Sequence, residues 1–156
     1  ELHKGVQAAL KQGHNDVNTN DGMDVSILAL NTETRECHWA GAFRSLVIVN
    51  NNGDLDKIDG NKYPVGGAQL DSNRIFTTHT LHLQKNDCLY MFTDGYADQF
   101  GGTKGKKFMV KQFHDNLKSV HLYSIAEQQK ELENQFNEWR GNFEQVDDVL
   151  VIGIKL

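Results

Sequence analysis

Two short acidic clusters are the residues of this chain best suited to chemistry. The first is Thr93-Asp94-Gly95, which closes the apolar run Leu89-Tyr90-Met91-Phe92. The second is Asp147-Asp148, just ahead of Val149-Leu150-Val151-Ile152-Gly153-Ile154. Each cluster sets an aspartate at the mouth of a strand expected to be buried, where desolvation would raise its pKa unless a cation compensated. Carboxylate oxygens in such a place suit hard divalent ions, Mg²⁺ or Mn²⁺, and Gly95 lets the backbone turn away sharply after Asp94. A plainer explanation stands beside this one. Asp-Gly is a common turn dipeptide, and it recurs here at Asp21-Gly22, Asp59-Gly60 and Asp94-Gly95. Asp147-Asp148 also reads as a solvated strand entry. On pattern alone the turn outweighs the metal.

The elements that must position these residues follow from periodicity. Leu2, Val6, Ala9 and Leu10 have the spacing of a short amphipathic helix, and 13–22 is a polar, turn-rich loop. Strands are expected at Val25–Leu30, Cys37–Ala42 and Ser45–Asn50, with Asn52-Gly53 turning the chain into Leu55–Ile58. Arg74–Leu83 alternates, and Cys88–Phe92 is a compact apolar run. Two helices follow, one marked by Phe108, Val110, Phe113 and Leu117, the other by Ile125, Leu132, Phe136 and Trp139. The runs LYMF and VLVIGI are apolar on both faces, so each strand needs cover on both sides. That predicts an α/β (α+β) fold, a layered β-sandwich flanked by helices. With no repeat and no Pro/Ser linker, 1–156 reads as a single domain.

Composition narrows the function classes. The net charge of −5 does not suit a nucleic-acid binder, which needs a basic face. No apolar run approaches the roughly 20 residues that span a bilayer, and no contact with a membrane is expected of this segment. Cys37 and Cys88 form no CxxC pair and read as reduced, in a cytoplasmic protein. His79 and His82 fall on opposite faces of one strand, which argues against a shared zinc ion. Ser26 and His38 lack a nucleophile-elbow motif. Lys104, Lys106 and Lys107 read as a solvated helix start that could also steer an anionic peptide. Asp98 reads as a loop or supporting residue, and Arg44 in AGAFRS sits in a turn.

Taken in order, DGMDVSILAL, CHWAGAFRSLVIVNNNGDL, YPVGG, LYMFTDGYADQFGG and EQVDDVLVIGI resemble the SpoIIE-like serine/threonine phosphatases of the metal-dependent type 2C superfamily, across nearly the whole chain. The resemblance implies a phosphoserine/phosphothreonine phosphatase that uses two Mn²⁺ or Mg²⁺ ions. By position Asp94 matches the family's TDG ligand, Asp147 the first residue of its DD pair and Asp148 the less direct neighbour, while Gly95 serves the turn. It also implies a partner, a phosphorylated regulatory protein such as an anti-sigma-factor antagonist in bacterial signalling. The family's Gly-Gly-Asp and Asp-x-Ser/Thr-Gly-His-Gly elements do not occur here, and Gly13-His14-Asn15 is no substitute. The expectation is therefore an N-terminally truncated, partial phosphatase domain that is itself nearly inactive, binds metal weakly and self-associates as a homodimer through an exposed sheet edge. The resemblance leaves room for sensor or membrane segments upstream, which this sequence does not reveal. The alternative is a non-catalytic module that keeps the fold and binds a signalling partner.

Overall fold

Short apolar and alternating runs become strands, and the two stripes of large side chains late in the chain become helices. The computed structural model describes residues 1–12, 21–67 and 74–156. The chain opens with helix α1 (Leu2–Ala9), then β1 (Gly22–Met23), β2 (Val25–Leu30) and β3 (Glu36–Ala42). Next come β4 (Ser45–Val49), β5 (Leu55–Asp59), β6 (Val65–Gly66), β7 (His79–His82) and β8 (Cys88–Phe92). A short helix α2 (Gly95–Asp98) leads to β9 (Phe100–Gly101) and β10 (Lys106–Lys107). Helices α3 (Val110–Val120) and α4 (Ile125–Arg140) precede the last strand, β11 (Val151–Lys155). The loop expected at 13–22 lies almost wholly outside the described residues, as does Gly13-His14-Asn15.

These elements form two compact units. The first, Glu1–Leu46 with Ile58–His82, is built on an antiparallel sheet ordered β2-β3-β7. Trp39, with no exposed surface, anchors it and donates its indole N–H to Ser26 Oγ at 2.8 Å. In α1 the apolar stripe is not what is buried. Leu2 and Leu10 are exposed, whereas His3 is buried and its Nδ1 accepts the Gly66 N–H at 3.0 Å. Only His79–His82 of the expected strand Arg74–Leu83 pairs, against β3. Residues 74–78 carry no strand, because Arg74 turns back to the carbonyls of Pro64 and Gly66 and Tyr63 Oη donates to the Ile75 carbonyl. Arg44 pairs with Asp24 at 2.9 Å.

The second unit, Val47–Lys57 with Leu83–Leu156, carries the sheet ordered β11-β8-β4-β5. Its core joins Val47, Val49, Cys88 and Tyr90 to Tyr96, Phe108, Phe113, Leu117, Leu132 and Phe136. Ser124 and Glu127 close a capping box at the start of α4, which satisfies backbone N–H groups that the helix itself leaves unpaired. Tyr96 donates to the Leu132 carbonyl at 2.8 Å, and burial pushes its pKa up to about 12, so it stays a donor at any physiological pH. β8 is covered as expected. The final run is not covered on both faces: Leu150 and Ile152, on one face of the run, are exposed, and β11 is also an edge strand. Lys106 and Lys107 are strand residues rather than a helix start, because they pair with Phe100 and Gly101 across a turn.

Candidate functional site

The antiparallel pairing of β8 and β11 decides where the two acidic clusters meet. Phe92, the last residue of β8, faces Val151, the first of β11. The chain leaves β8 through Thr93-Asp94 at the same rim from which Asp147-Asp148 enters β11. Strand polarity alone therefore brings residues more than fifty positions apart in sequence to one end of one sheet.

Thr93 stitches that rim together. Its Oγ1 donates to the Asp148 carbonyl at 2.8 Å and accepts the Leu150 N–H at 3.0 Å. Its own N–H donates to the Leu150 carbonyl at 3.0 Å. Gly95 completes the contact, since a Cβ built on it would stand 2.4 Å from the Asp148 carbonyl oxygen. Only a glycine lets these two backbones approach so closely. Asp94 caps α2, and its carbonyl accepts the Asp98 N–H at 2.9 Å. Asp147 Oδ1 accepts the Asp148 N–H at 2.7 Å, and the Asp147 carbonyl accepts from Gln145 Nε2 at 2.9 Å.

The environment of these carboxylates differs from the sequence expectation. Asp94, Asp147 and Asp148 are all exposed. The strand beneath is buried, but the aspartates stand beyond its end, so burial is not what a cation would have to offset. Asp98 is bound elsewhere, in an ion pair with Lys107 at 3.0 Å. In donor type the rim fits a hard divalent ion, with two aspartates or three on one loop pair. In donor number it falls short. Among the described residues no three His, Cys, Asp or Glu side chains are grouped to hold a metal.

Thr93 lies within the TDG cluster, but sequence reasoning gives it no role of its own. Its signal was available: a hydroxyl side chain at the end of an apolar run, with the strand's own pairing about to stop.

The mixed α/β architecture, with an antiparallel sheet carrying α3 and α4, is the fold of type 2C phosphatase domains. The likeness to solved structures is direct. The SiaA-PP2C domain of Pseudomonas aeruginosa matches with a TM-score of 0.82 at 21% identity, over 99% of this chain and 57% of that one. The phosphatase domain of the cell-fate determinant SpoIIE from Bacillus subtilis matches with a TM-score of 0.63 at 11% identity, over 98% and 64%. RsbX, in a complex with magnesium, matches with a TM-score of 0.64 at 17% identity, over 97% and 61%. The chain thus spans about three-fifths of each of these relatives. No curated protein sequence matches it. Residues 1–156 match the family described as Stage II sporulation protein E (SpoIIE), and the chain belongs to that family.

No helix among the described residues is long and apolar enough to cross a membrane.

Proposed function

We propose that this chain is part of a metal-dependent phosphoserine/phosphothreonine protein phosphatase of bacterial signalling, in which Asp94 and Asp147 are metal ligands. The observation that carries this reading is the Thr93 stitch, which holds the backbone of the acidic pair against the turn that presents Asp94. Asp148 is the supporting neighbour by its place in the pair, since its N–H donates to the Asp147 carboxylate and so orients that side chain. Gly95, the first residue of α2, has no side chain to block the approach.

The ion is Mn²⁺ or Mg²⁺, and a relative of the same fold is known in complex with magnesium. When bound, such ions acidify a water and neutralise charge on a phosphoryl group. The protein's part is positioning and electrostatics, from carboxylates held at a fixed rim. Because the chain spans 57% of its relative from Pseudomonas aeruginosa, the ligands missing from the rim are assigned to the remainder of the domain. The substrate class is a phosphorylated regulatory protein such as an anti-sigma-factor antagonist. A cytoplasmic setting agrees with two buried, unpaired cysteines, Cys37 and Cys88.

One observation favours a second reading, a non-catalytic module that binds a signalling partner: the described residues hold no ready three-ligand group. Titration of this chain with Mn²⁺ under amide NMR separates the two. Paramagnetic broadening should begin at Gly95, Asp147 and Asp148. Broadening spread over unrelated acidic residues would favour the binding module.

A further inference from the structure

Gln99 follows directly on α2 and has no exposed surface at all. Its side-chain amide is spent on the backbone. Nε2 donates to the Phe100 carbonyl at 2.9 Å and to the Glu144 carbonyl at 2.8 Å. Its own carbonyl accepts the Trp139 indole N–H at 3.1 Å and the Phe108 N–H at 2.9 Å. Oε1 has no hydrogen-bond partner among the described residues. Turning the amide over would set Oε1 against two carbonyl oxygens, so the donor end dictates its orientation.

A buried amide with an unmatched acceptor is unfavourable compared with an apolar side chain of the same shape. What the amide gives in return is a fixed link from the end of α2 to Glu144. The stretch from Glu144 to Asp148 is exposed and has no regular structure. It is held at its far end by Thr93, through the Asp148 carbonyl. Gln99 holds the near end. Between these two ties lie Gln145, Val146 and Asp147.

We infer that Gln99 is a positioning residue for the acidic pair, holding the segment Glu144–Asp148 so that Asp147 stands in a set place beside Asp94. The inference rests on the metal-phosphatase reading above. It assigns Gln99 no contact with metal or substrate; its action passes through Glu144 and the backbone.

Gln99→Met tests it in this chain, because methionine keeps the length and apolar packing and loses both donors. The expected result is a folded variant in which the backbone amides of residues 144–148 lose order by ¹⁵N heteronuclear NOE, while those of β8 and β11 do not. Its Mn²⁺ dissociation constant should rise by about tenfold or more, the usual size of effect when a residue orienting a metal ligand is lost. Wild-type order at 144–148 in the folded variant overturns the inference. So does lost order with an unchanged Mn²⁺ affinity. If the wild-type chain binds no Mn²⁺, the affinity comparison is made in a form spanning the full length of the relatives' domain, and in this chain the NOE alone decides whether Gln99 holds the segment. Should Gln99→Met not fold, hydrogen exchange in the wild type decides. Side-chain amide protons of Gln99 exchanging as fast as those of exposed Gln112 would sink the inference.

Discussion

Phe113→Ala is expected to lower the unfolding free energy of the second unit by about 3–5 kcal/mol, the range for deleting a buried phenyl ring. Phe113 has no exposed surface. Its ring lies 4.8 Å from that of Phe92 and 4.4 Å from that of Tyr96, centroid to centroid. Those two residues belong to β8 and α2, the elements on either side of Asp94. The Met109 N–H donates to the Ala97 carbonyl at 2.8 Å just ahead of α3, so the cavity would open directly behind the α2 turn. Urea denaturation followed by tryptophan fluorescence gives the number, and the site should loosen with the core. A cost near that of an exposed residue, below about 0.5 kcal/mol, would mean that this aromatic cluster does not pack as described.

The second large effect is expected at Gly95. Its φ is not in the left-handed region, so the argument is steric alone. A methyl group there would stand 2.4 Å from the Asp148 carbonyl oxygen and 2.9 Å from its carbon, and both are backbone atoms that no rotamer change can move aside. Gly95→Ala should therefore push the Asp148 strand entry away from Thr93, at a cost of about 1–3 kcal/mol typical of overpacking. Gly5 is the matched control. It lies within α1, nothing stands within 4 Å of an added Cβ, and its φ is not positive. Gly5→Ala should stabilise by roughly 0.5–1 kcal/mol through helix propensity. Thermal melting of the pair should move in opposite directions. A neutral Gly95→Ala would show that the two acidic loops are not in contact.

Much of this arrangement could be read from the residues. Cys88–Phe92 is apolar and short, and a buried strand there was the natural expectation; it forms, but where a sharp glycine turn was expected helix α2 begins at Gly95. Asn52-Gly53 marks the β4–β5 turn, where Gly53 takes φ +86°. The stripe through Leu132 and Phe136 marks α4 within a residue at its end. What periodicity could not reveal is which strands become neighbours. The meeting of Asp94 with Asp147-Asp148 depends on β11 pairing with β8, a long-range choice that no local pattern specifies.

The failures have similar causes. An apolar stripe in eight residues does not say which face a short helix will bury, and in α1 a histidine accepting a backbone N–H won the interior place. Alternation in Arg74–Leu83 looked like a strand, but a partner was available only from His79 onward. An apolar run such as VLVIGI suggested cover on both faces, whereas Leu150 and Ile152, on one face of the run, are exposed. The family resemblance directed attention to the carboxylates. It included Thr93 and Gln99 in a motif but gave neither a role, because their roles depend on hydrogen bonds to distant backbone.

The most direct test of the central claim is Mn²⁺-dependent hydrolysis of a phosphoserine peptide. It compares this chain, a form spanning the full length of its structural relatives' domain, and Asp94→Asn in that longer form. The account predicts turnover by the longer form alone, falling to background in Asp94→Asn and absent without the metal. Turnover that survives Asp94→Asn would contradict it, and a longer form inert in Mn²⁺ and Mg²⁺ alike would leave the partner-binding module as the function.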